Sequence, residues 1–191
     1  MMRKPPQHRF ICFEGVDGSG KSTLAHHLAK EMNAAYLYSP PEALLPIREK
    51  IRTFPPHIQY QYYLLGNLIT NTEVDTLIDR TSVIVDRYIY STIAFHAPLL
   101  NPLREKAMVL PKIREPDLVI YVTASWEEIE RRLSTRSERK STENILYLKR
   151  VAQEYKRIFE NRTGVLKIDT TQEEPDNVIQ RIMGVINGTR N

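Results

Sequence analysis

The sequence predicts an α/β fold: a parallel sheet of about five strands with helices on both faces. Two observations carry most of that expectation. Runs such as "SVIVD" and "DLVIYV" are apolar throughout instead of alternating, as in strands covered on both sides. Between such runs the apolar residues recur at helical spacing, so strands and helices alternate along the chain. A third observation is that a glycine-rich stretch joins the first apolar run directly to a helical one.

Taken in order, "RFICFE" (9–14) is a buried strand and "KSTLAHHLAKEM" a helix that opens on the glycine loop. "AAYLY" (34–38) is a second short strand, closed by Pro40 and Pro41, which cannot donate to a sheet ladder. "REKIRTF" forms a short helix ended by Pro55 and Pro56, and a long helical pattern runs from Ile58 to Arg80. "SVIVD" (82–86) and "DLVIYV" (117–122) are the third and fourth strands. Ser125 can cap the next helix, with Glu128 at the reciprocal position of a capping box. "TENILYLKRVAQEYKRIF" sets Leu148, Val151, Tyr155 and Ile158 on one helical stripe. "VLKID" is the last strand, and "PDNVIQRIMGVI" a closing helix with Pro175 near its start.

The 191 residues contain no internal repeat, low-complexity segment or linker-like stretch, so a single domain over 1–191 is expected. The 41% hydrophobic and 26% charged residues exclude a disordered or fibrous chain. The longest apolar runs fall short of the roughly 20 residues a membrane span needs, and no apolar segment follows the basic N-terminal residues. Cys12 is alone, which rules out an internal disulfide and fits a reducing compartment. A cytoplasmic protein without a membrane partner is the expectation. The net charge of +4 and pI of about 9.1 suit an anionic partner without choosing among nucleotides, nucleic acid and acidic lipid. The basic excess is concentrated between Arg131 and Arg157; a solvated helix face explains Lys149, Arg150, Lys156 and Arg157.

In open parallel sheets, ligands sit beyond the carboxyl ends of the strands. There the sequence places Gly15 after the first strand, Pro40–Glu42 after the second, and Asp86–Arg87 after the third. Gly15, Val16, Asp17, Gly18, Ser19, Gly20, Lys21 and Ser22, followed by Thr23, satisfy G-x-x-x-x-G-K-[ST]. Glycines let such a loop curl its N–H groups into one concavity, and the following helix adds its positive end. This P-loop is expected to bind ATP, with Lys21 on the β- and γ-phosphates and Ser22 as a ligand of Mg²⁺. "VIVDRY" has the apolar run and aspartate of a Walker B element, so Asp86 is a second candidate for Mg²⁺, through water. The next residue is Arg87, not a water-activating carboxylate, and there is no N-K-x-D base-reading motif. Transfer to a bound anionic acceptor fits these residues better than hydrolysis or a GTP switch.

"FEGVDGSGKST", "VIVDRYIYSTIAFHA" and "PDLVIYVTASWEEIERRLSTR" resemble three signatures of the thymidylate kinases, which move the γ-phosphate of ATP onto dTMP. The "ENILYLKRVAQEYKRI" helix and the terminal "LKIDTTQEEPDNVIQRI" resemble that family's C-terminal part, so the likeness runs nearly end to end. It implies a P-loop NTPase-type fold with a small lid near 132–145 and a homodimer. It also implies roles. Asp17 would contact the acceptor sugar, Arg87 the acceptor phosphate, Ser91 the base and Phe95 the wall of its pocket, with Tyr88 beside them in the D-R-Y motif. Because the loop carries Gly18 and Ser19 where some members carry an arginine, the catalytic arginine would come from the lid, as Arg132 or Arg136, with Arg139 a further match.

Three departures fall on the acceptor side. Pro40 or Glu42 stands where the family has an arginine on the acceptor phosphate, for which Arg48 or Arg52 could substitute. Leu64 and Leu68 align with the family's stacking Phe and base-reading Arg, with Tyr62 and Tyr63 next door, and loosened base selection is expected. The sequence therefore leaves two rivals to a monophosphate kinase. One is a deoxynucleoside kinase using Glu42 as the base for a 5′-hydroxyl. The other is a non-catalytic P-loop module that binds nucleotide, or nucleic acid through its basic face, although nucleic acid is not the expected partner.

Overall fold

Successive side chains of a strand point to opposite faces, so a strand that is apolar throughout must be covered twice. That is the arrangement in the computed structural model, which describes residues 8–100, 112–135 and 144–188. Strands β1 (Phe10–Glu14), β2 (Ala35–Tyr38), β3 (Val83–Asp86), β4 (Leu118–Thr123) and β5 (Val165–Asp169) form one sheet in the order β2-β3-β1-β4-β5. All four pairings are parallel, with Phe13 opposite both Asp86 of β3 and Ile120 of β4.

The helices are α1 (Lys21–Glu31), α2 (Leu45–Ile51), α3 (Pro56–Leu77), α4 (Ile89–His96), α5 (Trp126–Ser134), α6 (Ile145–Phe159) and α7 (Pro175–Gly188). Ile11, Phe13, Ile84, Ile120 and Val122 face α1 and α7, while Phe10, Cys12, Val83, Val85 and Val119 face α3, α4, α5 and α6. Cys12 is fully buried as a small apolar residue of the second group. Among the described residues no helix is long and apolar enough to cross a membrane.

Two elements begin earlier than their apolar pattern. Helix α2 starts at Leu45 and α3 at Pro56, each with a proline in its first turn, where a missing N–H has no helix partner to lose. Ser125 Oγ accepts from Glu128 N (3.2 Å) as expected, but the capping box is only half made. Ser125 N donates to Thr171 Oγ1 (2.8 Å), and the Glu128 carboxylate is held by Arg131 and Arg132. The stripe on α6 is completed by Phe159, with Ile158 only half-buried. Trp126 packs at the start of α5 under the Lys149 ammonium, 5.4 Å from its ring.

Strand β1 lies between β3 and β4, so the chain leaves it in one direction first and in the other later. The crevice at that switch point collects the loop after β1 and the Asp86–Arg87 turn after β3. Helix α3 closes the side of the crevice. Gly66 packs on Pro40, where an added Cβ would come within 2.9 Å, and the buried Asn67 bridges Ser39 Oγ (3.0 Å) to Thr92 Oγ1 (2.7 Å).

Candidate active site

The loop between β1 and α1 is shaped from outside. Gly15 has φ +149°, and a Cβ there would lie 2.3 Å from the Val122 carbonyl oxygen, so β4 passes where any side chain would stand. Gly20, at φ +88°, turns the chain into α1. Carbonyls of the loop are taken by side chains from around it. Arg87 Nη1 donates to Gly15 O (3.2 Å), Lys21 Nζ to Val16 O (3.5 Å), Arg132 Nη1 to Gly18 O (3.2 Å) and Thr170 Oγ1 to Ser19 O (2.9 Å). The first amides of α1 have no helix partner, so the concavity is suited to phosphate oxygens.

Lys21 lies in this concavity almost without solvent contact, its Nζ 3.8 Å from Asp17 Oδ1. Burial, with the neighbouring Arg87, pushes its ammonium down to about 8, against the pull of Asp17, Asp86 and Glu14. Ser22 and Thr23 follow on the exposed start of α1. Asp86 is fully buried at the end of β3. Its Oδ2 accepts from Tyr36 Oη (3.2 Å), while Oδ1 is buried with no hydrogen-bond partner among the described residues. Tyr36 is in turn stacked on His26 (3.8 Å between centroids), and His27 turns towards Asp176, so the two histidines form no metal pair. Among the described residues no group of three His, Cys, Asp or Glu could cage an ion. One unpartnered carboxylate oxygen of Asp86, with the Ser22 hydroxyl at the start of α1, does fit Mg²⁺, which keeps most of its waters and is held jointly with phosphates.

Arg87 occupies the turn after β3 at φ +71°. Its Nη2 meets Asp17 Oδ1 at 2.6 Å, Nη1 donates to Ser91 Oγ (3.1 Å), and its guanidinium lies 4.9 Å from the centre of the Phe95 ring. Beside it opens a cavity of about 500 Å³ that Asp17, Arg87, Tyr88, Ser91 and Phe95 all line. Tyr88 contributes an edge only, since its hydroxyl is bound to Asn71 Oδ1 (3.0 Å) and its ring packs on Phe10. Arg48, Arg52 and Arg150 line it too, so among the described residues four guanidinium groups face one carboxylate. The Nε atoms of Arg48 and Arg52 are buried without a hydrogen-bond partner among those residues. Arg150 is exposed on α6, as the solvated-face reading expects, and it also borders the cavity.

Other expectations are redistributed. Glu42 is exposed and does not line the cavity. Leu64 is buried in the core and Leu68 is 38% exposed; neither reaches the cavity, whose α3 wall is Gln59 and Tyr63, four residues apart on one face. Arg132 braces α5 against the P-loop and the turn after β5, through Glu128 Oε1 (2.6 Å), Thr170 Oγ1 (2.9 Å) and Thr170 O (2.7 Å). To act on a transferring group it would have to leave these bonds. Arg136 and Arg139 lie outside the described residues.

His96, 4% exposed, forms part of the cavity wall, a role its sequence position did not suggest. Its Nδ1 lies 2.8 Å from Thr92 O, which can only accept, so Nδ1 carries the proton. Burial pushes the ring down to about 4 from an ordinary value near 6.5. Between those values the unfolded chain binds a proton that the folded one refuses. The stability tied to neutral His96 is complete above about pH 6.5 and is lost as pH falls towards 4, by up to about 3 kcal/mol. A His96→Phe variant should flatten this part of the urea midpoint plotted against pH; an unchanged slope would assign the acid limb to other groups.

A loop shaped for phosphates next to an arginine-rich chamber of nucleotide size makes sense for passing a phosphoryl group from one bound anion to another. Fold and site thus define a P-loop phosphotransferase. The thymidylate kinase family model matches residues 13–182, and the chain belongs to that family of nucleoside monophosphate kinases, whose donor is ATP. A probable thymidylate kinase of Methanococcus vannielii is 29% identical over 92% of this chain and 93% of its own. The human mitochondrial UMP-CMP kinase 2 is 27% identical over 92% of this chain, though over only 42% of its own length. In fold the chain is similar to a solved thymidylate kinase from Candida albicans, with a TM-score of 0.78 at 21% identity, covering 96% of this chain and 92% of that one.

Proposed function

We propose that the protein transfers the γ-phosphoryl group of ATP to dTMP, giving ADP and dTDP. The observation that carries this reading is the cavity beside the P-loop. Its four guanidinium groups face one carboxylate, and two of their Nε donors have no partner among the described residues. Such a chamber favours an acceptor that already carries phosphate. A phosphate monoester has its second pKa near 6, so its oxygens are largely ionised at neutral pH and need no general base to attack. The exposed position of Glu42 outside the cavity agrees with this.

In this reading the amides of Gly15 to Thr23 and the Lys21 ammonium hold the donor phosphates. Ser22 directly, and Asp86 through water, would hold Mg²⁺. A magnesium ion bound there would neutralise charge on the β- and γ-phosphate oxygens. Arg87 grips the acceptor phosphate, with Arg48 and Arg52 supplying the contact that Pro40 and Glu42 cannot. Asp17, which holds Arg87 and Lys21 without substrate, turns to the acceptor sugar when phosphates displace it. Ser91, Phe95, Tyr63 and the edge of Tyr88 surround the base. Arg136 and Arg132 close on the transferring group from a lid near 132–145, as water is excluded. Names of relatives that act on thymidylate support dTMP as the acceptor; the likeness to a UMP-CMP kinase and the absence of the family's base-reading arginine support incomplete discrimination among pyrimidines.

The test is to incubate the protein with ATP, magnesium and a panel of nucleosides and monophosphates, and to separate the products. A diphosphate formed chiefly from dTMP is the expected result; phosphorylation of thymidine alone would support the deoxynucleoside kinase. We further propose a single domain over 1–191, acting in the cytoplasm as a homodimer. Ile58, Leu65 and Leu68, exposed on one face of α3, suit a two-fold helix contact. Sedimentation equilibrium should give twice the chain mass, and a Leu65→Lys variant the monomer; a monomeric parent protein would remove the dimer.

A further inference from the structure

We propose that Glu14 is a positioning residue for the acceptor: it fixes the turn that presents Arg87. The inference rests on the reading of Arg87 as the acceptor-phosphate ligand. Glu14 ends β1, is fully buried and does not line the cavity. No cation lies within ion-pair distance of it among the described residues. Its carboxylate is spent on five donors, one of them the Cys12 thiol on Oε1 (3.7 Å). Besides that thiol, Oε1 accepts from Tyr88 N (2.9 Å) and Ser91 N (3.2 Å), and Oε2 from Ser91 Oγ and from Tyr155 Oη (2.9 Å).

Those donors surround Arg87. Helix α4 receives no cap from its own preceding side chain, and Glu14 supplies the missing acceptor from another element. Arg87 has left-handed backbone geometry, which a residue with a Cβ seldom adopts unless its surroundings impose it. Here it is gripped on both sides, by its own N–H on Phe13 O (3.0 Å) and by the next N–H on Glu14. The guanidinium is also steadied from the same carboxylate, because the Ser91 hydroxyl touches both Glu14 and Arg87 Nη1. Through Tyr155 the carboxylate reaches α6, whose Leu146, Tyr147 and Arg150 form the opposite cavity wall. Burial raises the Glu14 pKa, and its donors only partly restore it. A purely structural position would be filled more cheaply by an apolar side chain.

A misplacement of about 1 Å in a positioning group can cost roughly 10²-fold in rate. Glu14→Gln preserves size but meets at least two of the five donors with an NH₂ group. The expected result is a fall of about 10- to 100-fold in kcat/KM, carried by the KM for dTMP. ATP affinity should stay within about threefold, and amide-hydrogen protection at Tyr88 and Ser91 should drop. If Glu14 acts through Arg87, the same substitution in an Arg87→Lys background should add less than about threefold. An unchanged KM for dTMP in Glu14→Gln would overturn the proposal, as would an equal loss in both backgrounds or an equal weakening of ATP. Should Glu14→Gln fail to fold, Tyr155→Phe removes a single donor from Oε2. A several-fold rise in the KM for dTMP at constant ATP affinity supports the proposal, and no rise overturns it. Arg87→Lys alone separates the two layers. If it leaves transfer to dTMP intact, the role of Arg87 itself fails; if it cripples transfer while Glu14→Gln does not, only the positioning role fails.

Discussion

A Lys21→Ala variant is expected to fold normally and to lose phosphoryl transfer by about 10³-fold or more. The ammonium is the one lysine charge inside the P-loop, where the β- and γ-phosphate oxygens would lie. Charge on a transferring phosphoryl group spreads over those oxygens in a site largely closed to water, so the interaction is stronger there than in solution. A thousandfold loss corresponds to about 4 kcal/mol of transition-state stabilisation. The fold should survive because Lys21 contributes little to it. Its bonds to Val16 O and Asp17 Oδ1 are long, 3.5 and 3.8 Å, and its lowered pKa shows that burial already disfavours the charge. The thermal midpoint should therefore stay the same or rise slightly. Steady-state transfer from ATP to dTMP, measured beside the melting curve, checks both halves. Turnover within tenfold of the parent in a folded variant would take Lys21 out of the mechanism.

The loop proposed to hold the donor was legible in the sequence because its pattern is local. Gly15 to Thr23 form one uninterrupted loop, and the order of apolar runs fixed what precedes and follows it. The sheet was legible for the same reason: the central strands β1, β3 and β4 are apolar on both faces, and that requires helices above and below. Helix α4 was not. "IYSTIAFH" is rich in β-branched and aromatic residues and reads equally well as a strand. Its start is held by the Glu14 carboxylate, seventy-four residues earlier in the chain at Tyr88 N, and its body packs against α3 and α6. The acceptor wall was obscured in the same way. Aligning positions along α3 pointed to Leu64 and Leu68, yet the face turned inward is decided by where Gly66 and Asn67 touch the loop after β2, and it carries Gln59 and Tyr63. Arg150 reads as one exposed charge in a basic run, and that it also borders the cavity was not visible in the sequence. Long-range contacts, not local pattern, selected these residues.

Arg87→Lys is expected to cut transfer to dTMP by about 10²-fold or more, chiefly through weaker acceptor binding, while leaving ATP binding within about twofold. The guanidinium makes three contacts in different directions, to Gly15 O, Asp17 Oδ1 and Ser91 Oγ, with Phe95 beneath it. A planar fork can hold that frame and still offer paired donors to phosphate oxygens; a single ammonium cannot. The backbone at φ +71° is no easier for lysine than for arginine, so the substitution isolates the head group. Arg48→Ala should raise the KM for dTMP by about tenfold, in keeping with the loss of one charge-assisted contact. Glu42→Gln should change nothing, because its carboxylate is exposed outside the cavity. A nucleoside acceptor reverses the pattern: Glu42→Gln would then remove the base for the 5′-hydroxyl and cost roughly 10²–10⁴ in rate, and Arg87→Lys would cost little. Measuring kcat/KM for dTMP and for thymidine in the three variants separates the two outcomes, since each acceptor requires one of these side chains and is indifferent to the other.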